Sequence, residues 1–379
     1  MAVKNRVTRP LKKVICFFLR CWYESVKSSD KRPRCPERRI LVMACNGIGN
    51  TVMSLPLIKE AATQYPQRID VLVSSRASGD IIAATDLDVN VLAVKRLSLP
   101  LLRRLRSNRY ADCIISFQTL LLTWHALPLL MGIKNIATHD YSEFVPWFPV
   151  LQRVYAKTVT INKRIHDVEQ NMCLISNSLS SQSVQYPEIH RHGSSGNVKE
   201  AAENESHIRI GIHPGASSHA RYKIWPVERF IELAHKIQKN HQAELLFFAG
   251  PDEQEILPVL AENGFNVYEN SNYSSVIDEI NRCSLVICND SGIMHTADLL
   301  RKPIIAIWGG TDPARNGPRG KRAQNVFSSV ECRPCMVFTR LRTSCPGEPY
   351  ACLAGISVDR VYEPIDRFLK TAGENISGI

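Results

Sequence analysis

Two short loops of small residues, 289–292 and 213–218, hold the side chains best suited to chemistry in this 379-residue chain. In the first, Asn289-Asp290-Ser291-Gly292-Ile293 follows the apolar run Leu285-Val286-Ile287-Cys288. A branched apolar run of that length reads as a buried parallel strand, and the Ser-Gly turn after it opens a helix near Met294. Unpaired N–H groups and a positive dipole end at such a helix start suit a diphosphate. In the second loop, a strand at 208–212 runs into His213-Pro214-Gly215-Ala216-Ser217-Ser218, and Trp225-Pro226-Val227-Glu228 starts an amphipathic helix with Pro226 at its first position. Lys223 stands just before that helix, where its ammonium neutralises a phosphate near the turn; a solvated surface lysine is the plainer reading. Asp290 either fixes its loop or contacts a sugar, and a simple helix cap competes with both. His295 sits on the opening turn, where a histidine reaches a ligand about as often as it packs, and His213 shapes its own loop. Glu253, in Gly250-Pro251-Asp252-Glu253, follows a strand end where an acid binds ribose hydroxyls or caps the next turn. Thr311, Asp312 and Arg315 follow the strand that ends at Trp308, on the same side.

Twelve cysteines are many for a cytoplasmic protein. Cys16, Cys21, Cys35, Cys45, Cys113, Cys173, Cys283 and Cys288 are scattered, several in apolar runs where the thiol packs as a small hydrophobe, and no disulfide framework follows. Cys332-Arg333-Pro334-Cys335 followed by Cys345 and Cys352 has the spacing of a metal site. A structural Zn or Fe ion is the expectation there, with unligated loop thiols as the alternative.

These loops need strands and helices to hold them. The first strand is expected at 38–44, a loop at 46–50, a helix at 51–65, and further strands at 69–73 and 112–117. After the polar stretch 181–206, the expected linker, strands are expected at 208–212, 243–248, 285–288 and 303–308. Helices are expected at 227–239, 273–282 and 293–300, with Ser357 capping a last one from 361 to 369. Strands alternating with helices imply parallel sheets with right-handed crossovers, hence two doubly wound α/β domains, 38–180 and 207–379.

The net charge is +11, yet residues 1–39 hold twelve Lys/Arg and three Asp/Glu, so about +9 of it lies in that stretch, most of it on an arm over residues 1–37. The body is nearly neutral, which argues against nucleic acid as a partner. Within the arm, Val14-Ile15-Cys16-Phe17-Phe18-Leu19 and Cys21-Trp22-Tyr23 are flanked by Lys12, Lys13 and Lys27. The cluster is too short to span a bilayer and has no small-residue cleavage site, so neither a transmembrane helix nor a secretory signal is expected. Two readings stay open: a basic amphipathic helix in the interface of an anionic membrane, or a tail or helix packed on the first domain.

Four ordered blocks, His213-Pro214-Gly215-Ala216-Ser217, Lys223-Ile224-Trp225-Pro226, Asn289 through His295, and Gly310 through Pro318, resemble glycosyltransferase family 9, the bacterial ADP-heptose:lipopolysaccharide heptosyltransferases. Gly47-Ile48-Gly49-Asn50-Thr51 is similar to that family's first loop, and the likeness runs over about residues 38–365. It implies the GT-B architecture, two Rossmann-like domains facing a central cleft, and an inverting, metal-independent transfer. It places the donor on the second domain against Ser217, Lys223, Glu253, Asp290, Ser291, Gly292, Ile293, His295 and Thr311. Similar cysteine clusters occur in the family.

One departure stands out. Asn50 occupies the position where well-known heptosyltransferases carry an aspartate base, and asparagine cannot accept a proton at neutral pH. Replacement bases are Asp140, His139, Glu143 and His166, the last in a block resembling a recurring family motif. The resemblance thus implies a peripheral cytoplasmic enzyme at the inner face of the bacterial inner membrane. It would move heptose from ADP-heptose onto a lipopolysaccharide core or similar lipid-linked glycan. Two other readings are transfer of another nucleotide-activated sugar in O-antigen or capsule assembly, and a non-catalytic nucleotide-sugar-binding partner.

Overall fold

The computed structural model describes residues 2–29, 39–175, 184–189, 208–217, 220–337, 340–341, 345 and 350–377. Most of the expected linker, Cys35, Ser218 and the stretch after Cys345 lie outside the described residues. The chain divides into two compact units, 1–188 and 189–379.

In the first unit, helix α1 (Ala2–Ser29) precedes β1 (Arg39–Ala44), α2 (Ile48–Gln64), β2 (Ile69–Val73), α3 (Arg76–Ala83), β3 (Asn90–Ala93) and α4 (Leu99–Ser107). Then come β4 (Tyr110–Ile115), α5 (Leu122–Leu130), β5 (Asn135–His139), α6 (Phe148–Gln152), β6 (Lys157–Val159) and α7 (Asp167–Met172). The six strands form one parallel sheet in the order β3-β2-β1-β4-β5-β6. Its central strands are apolar at nearly every position because helices cover both faces of such a sheet, and β2 is buried throughout.

The second unit repeats the pattern with β7 (Arg209–His213), α8 (Val227–Asn240), β8 (Glu244–Ala249), α9 (Leu257–Glu262), β9 (Asn266–Glu269), α10 (Tyr273–Arg282) and β10 (Leu285–Asn289). It continues through α11 (Gly292–Leu299), β11 (Ile304–Trp308), α12 (Pro313–Asn316), β12 (Ala323–Phe327), the small pair β13 (Met336–Val337) and β14 (Arg340–Leu341), α13 (Ala351–Ala354) and α14 (Val358–Ser377). The parallel strand order is β12-β11-β10-β7-β8-β9. Helix α8 buries Phe230, Leu233, Ala234 and Ile237, a spacing of three, one and three that forms one helical face in the core with Val361, Ile365 and Leu369 of α14.

Both orders reverse at the middle of the sheet, between β1 and β4 and between β7 and β10. Such a switch point opens a crevice beyond the carboxyl ends of the strands, where doubly wound folds bind ligands. The expected strands and helices are found with ends moved by a few residues. Pro226 stands one residue ahead of α8 rather than on its first position. Ser357 caps α14 as expected, accepting from the Arg360 N–H, but the helix runs on to Ser377. The arm is a helix of 28 residues that packs on α5 and α6, and no described helix is long and apolar enough to cross a membrane.

The sheet of the first unit is tied at its base by Asp70, a fully buried carboxylate on β2. It accepts from Arg39 (2.7 Å), Asn90 (3.2 Å), Asn108 (3.0 Å) and, in a short bond, from Tyr110, so it joins β1, β2, β3 and β4. Burial alone would raise its pKa, but these bonds and the Arg39 charge outweigh burial and hold it below the ordinary carboxylate value. A carboxylate with a lowered native pKa stabilises the fold fully above the unfolded value of about 3.9 and loses that contribution as pH falls through the native value. Asp70→Asn is expected to cost about 2–3 kcal/mol at neutral pH and to flatten the acid side of the stability curve below about pH 4, both measurable by urea unfolding across pH.

Candidate functional site

The switch point of the second unit gathers nearly every donor-side residue singled out in the sequence. Asn289 ends β10, and the chain turns through Asp290 and Ser291 into α11. Ser291 stands at the N-cap but its hydroxyl makes no cap bond; it shares a hydrogen bond with His213 Nδ1 (3.1 Å) across the crevice. The backbone N–H groups at Gly292 and Ile293 therefore keep the helix-start character that suits an anion. His213 is buried, and burial pushes its pKa down to about 4, so the ring is neutral at physiological pH. His213 Nε2 also lies 3.8 Å from Glu253 Oε1.

Glu253 is mostly buried, and burial raises its pKa above the usual carboxylate value. One oxygen accepts from the Gly250 N–H at 2.8 Å, and the carboxylate fills the space where a side chain at Gly215 would start. Glycine at 215 is therefore required for this acid to reach the loop.

Lys223 ends a short turn of 3₁₀ helix, Arg221–Lys223, just before α8. Its ammonium lies 2.8 Å from Asp290 Oδ2, and the same oxygen accepts from the Thr311 hydroxyl at 2.7 Å. Asp290 is 2 % exposed, so it is a buried anion held by one cation and one hydroxyl. An ammonium has three protons, and Asp290 fixes where Lys223 points them. Thr311 belongs to the turn after β11, whose backbone is pinned from two directions. Gly310 N–H donates to the Tyr222 carbonyl (3.1 Å), and Arg333 donates to the carbonyls of Gly309 and, at 3.1 Å, Thr311. Ser217 is exposed beside the crevice, while His295 is buried on the first turn of α11. Asp312 caps α12 through the Ala314 N–H, and Arg315 is buried on that helix.

The corresponding switch point of the first unit carries Asn50 on the opening turn of α2, half-buried. The β1 and β4 loops are joined there by the Asn46 amide, which donates to the Gln118 carbonyl (2.8 Å). Gln118, with a left-handed backbone, donates from its side chain to buried Asp167 at 2.6 Å. His166 caps α7, its Nδ1 accepting from the Val168 N–H (3.2 Å) while Glu169 caps back onto its own N–H. Both Asp140 oxygens are occupied, one by the Ser142 N–H and one by Gln152, each at 2.9 Å. Glu143 is exposed and pairs with Lys163 at 2.7 Å. His139 is fully buried against Phe117, with burial lowering its pKa to about 4, so no outside hydroxyl reaches it.

The four-thiol metal site expected from spacing is not supported. Among the described residues no group of three or more His, Cys, Asp or Glu side chains is placed to hold a metal ion. Cys352 is buried on α13, its thiol raised mainly by burial and further by neighbouring Cys335 and Cys332, whereas Cys345 is exposed. The C-x-x-C segment instead delivers Arg333 to the 309–311 turn.

Sequence reading missed Asn289, Asn46, Gln118, Asp167 and Arg333. A buried polar residue at the last position of an apolar strand was the available signal for Asn289; the others are set by long-range contacts that leave no local pattern.

Two Rossmann-type units, one with a helix start and an ion pair at its switch point, define an α/β protein of the GT-B type. Residues 98–344, about two thirds of the chain, match glycosyltransferase family 9 (heptosyltransferase), and the chain belongs to that family. It is 30 % identical over 171 residues to the lipooligosaccharide heptosyltransferase 2 of Campylobacter jejuni, covering 43 % of this chain and 51 % of that protein. The chain thus spans about half the length of such curated relatives. Among solved structures it is similar to Escherichia coli ADP-heptose LPS heptosyltransferase II (TM-score 0.66, 20 % identity, 88 % of this chain and 99 % of that one). It is also similar to E. coli heptosyltransferase WaaC with ADP (TM-score 0.60, 20 % identity, 87 % and 99 %). At such identities these likenesses bear on the fold.

Removing Lys223 strands the Asp290 carboxylate. Lys223→Ala is expected to lower stability by about 2–4 kcal/mol. Adding Asp290→Asn should restore much of the stability, a double-mutant cycle read by urea denaturation. Independent effects of the two changes on stability would dissolve the pair.

Proposed function

We propose that the chain is an inverting glycosyltransferase that moves heptose from ADP-heptose onto a lipopolysaccharide core or related lipid-linked glycan, at the inner face of the bacterial inner membrane. The observation that carries this reading is the Lys223–Asp290–Thr311 arrangement beside the start of α11, because it sets a directed cation next to unpaired N–H groups. Charge develops on the departing diphosphate as the glycosidic bond breaks, and preoriented donors at that place lower the barrier without having to reorganise. Glu253 and the loop it braces against Gly215 have the chemistry to take the ribose hydroxyls, and Ser217, His295, Gly292 and Ile293, on the loops and helix start beside it, complete the proposed donor contacts. The names of the relatives and of the structural neighbours, which include ADP-heptose and ADP, supply the sugar and the nucleotide.

The acceptor side falls to the first unit. Asn50 offers an amide that orients a hydroxyl but takes no proton at neutral pH. Of the carboxyl and imidazole groups near the candidate acceptor face, His166 and Asp140 are the proposed proton acceptors. Each Asp140 oxygen keeps a lone pair beyond its hydrogen bond, whereas His166, whose Nδ1 accepts from the Val168 N–H, must release that cap to take a proton.

The test is a panel of nucleotide sugars scored by thermal shift, followed by transfer to a core-type acceptor. ADP-heptose should stabilise most and be consumed; greater stabilisation by another nucleotide sugar moves the reading to that donor, and binding with no transfer favours a non-catalytic role. Asn50→Ala should slow transfer modestly, whereas replacing the true base by Ala should cost about 10²–10⁴-fold. Asn50→Asp should keep transfer and add an acidic limb to its pH–rate profile. Full turnover after loss of both His166 and Asp140 would remove them from the chemistry.

A further inference from the structure

Helix α1 has two apolar faces. One is spent on the first unit: Cys16 and Tyr23, seven residues and two turns apart, are buried against it, and the Tyr23 hydroxyl donates to the Ile133 carbonyl at 2.6 Å. The other faces solvent. Leu11, Ile15, Phe18 and Trp22 follow one another at intervals of four, three and four, the spacing of a single helical stripe, with Val14 inside it and Phe17 beside it. Phe18 is 67 % exposed, Leu11 58 % and Trp22 39 %. Singly exposed apolar residues are ordinary, but six on one helix make a contiguous patch of the kind that marks an interaction site.

We propose that this stripe is a docking surface for an anionic lipid bilayer. Charge selects the occupant. Residues 1–39 carry about +9, Lys12 and Lys13 are exposed beside the stripe, and the one acid in α1, Glu24, is paired with Arg20 at 3.2 Å. Phenylalanine and tryptophan next to lysine suit the boundary between headgroups and acyl chains, where the rings enter and the ammonium groups meet lipid phosphate. Because the Cys16–Tyr23 face clamps α1 to the body, the membrane would hold the first unit at the surface instead of tethering it by a loose tail. The inference deepens the membrane location proposed above, yet it stands on α1 alone, which lies outside the family match over 98–344.

The full-length protein should co-sediment with phosphatidylcholine–phosphatidylglycerol vesicles, bind pure phosphatidylcholine less, and be released as salt rises. Phe18→Glu combined with Trp22→Glu should weaken anionic-vesicle binding about tenfold or more while leaving the melting temperature and ADP binding unchanged. Reversing exposed charges with Lys12→Glu and Lys13→Glu should weaken it too, and this second variant decides should the first fold poorly. Because no donor or acceptor is present, failure here leaves the transferase reading intact, and failure of transfer leaves this one intact. Equal vesicle binding by the variants overturns the proposal. So does a wild-type dimer that binds no vesicles and that the Phe18/Trp22 variant splits, which would assign the stripe to a second copy of the chain.

Discussion

The crevice of the second unit depends on one buried amide. Asn289 is the last residue of β10 and is wholly inaccessible to solvent. Its Nδ2 donates to the carbonyls of Pro214 (2.7 Å) and Gly215 (3.3 Å), and its Oδ1 accepts from the Trp225 N–H (3.2 Å). One side chain thus fixes three segments remote in sequence: the turn after β10, the turn after β7, and the stretch that carries Lys223. An amide is suited to this because it offers donor and acceptor together and stays uncharged, so it can be buried without a counter-ion. Trp225 extends the anchor, donating from its indole to the Ile356 carbonyl at 3.1 Å while its ring packs edge-on against Phe230. The lysine is therefore placed by the core of the unit as well as by its ion pair.

The turn after β11 completes the arrangement through close backbone contact. Gly309 leaves no room for a Cβ beside the Tyr222 carbonyl, and one at Gly310 would press on Cys335. That proximity lets the 3₁₀ turn before Lys223 and the turn bearing Thr311 share a hydrogen bond, so Lys223 and Thr311 arrive at Asp290 together. Arg333 then ties the same turn from outside by taking two of its carbonyls. A guanidinium does this with one rigid fork, which a lysine could not match.

Much of this was readable in the residues, and the part that was not has a common cause. Apolar runs and small-residue turns announced the strands and the loops after them, because burial between two helical layers demands continuous apolar strands and ligand approach demands small residues. Asp290, Ser291 and Thr311 were legible for the same reason, as polar groups placed just past strand ends, and Lys223 as a cation just before a helix. Their pairing was not, since the bond from Thr311 to Asp290 spans twenty-one positions and that from Asn289 to Pro214 seventy-five. The cysteines show the opposite error. Thiol spacing alone suggested a four-ligand site, but spacing says nothing of the direction in which each side chain leaves the backbone, and the segment between Cys332 and Cys335 is used to present Arg333. On α1, the apolar residues read as one cluster, and only the packing of Cys16 and Tyr23 separates the face used up by the fold from the face left outside.

The two switch points show how similar topologies are put to different uses. In the second unit the crevice is closed by groups that favour negative charge: a helix start, an oriented ammonium, and a neutral imidazole that takes up the serine hydroxyl. In the first unit the equivalent loops are bridged by amides, from Asn46 to Gln118 and from Gln118 to Asp167, with Asn50 on the adjoining helix start. Amides make directional hydrogen bonds as donor and acceptor at once and contribute little net field. Asn50 fits that lining better than an isolated carboxylate would. An amide at Asn50, like that of Gln118, can donate and accept, whereas an ionised carboxylate only accepts.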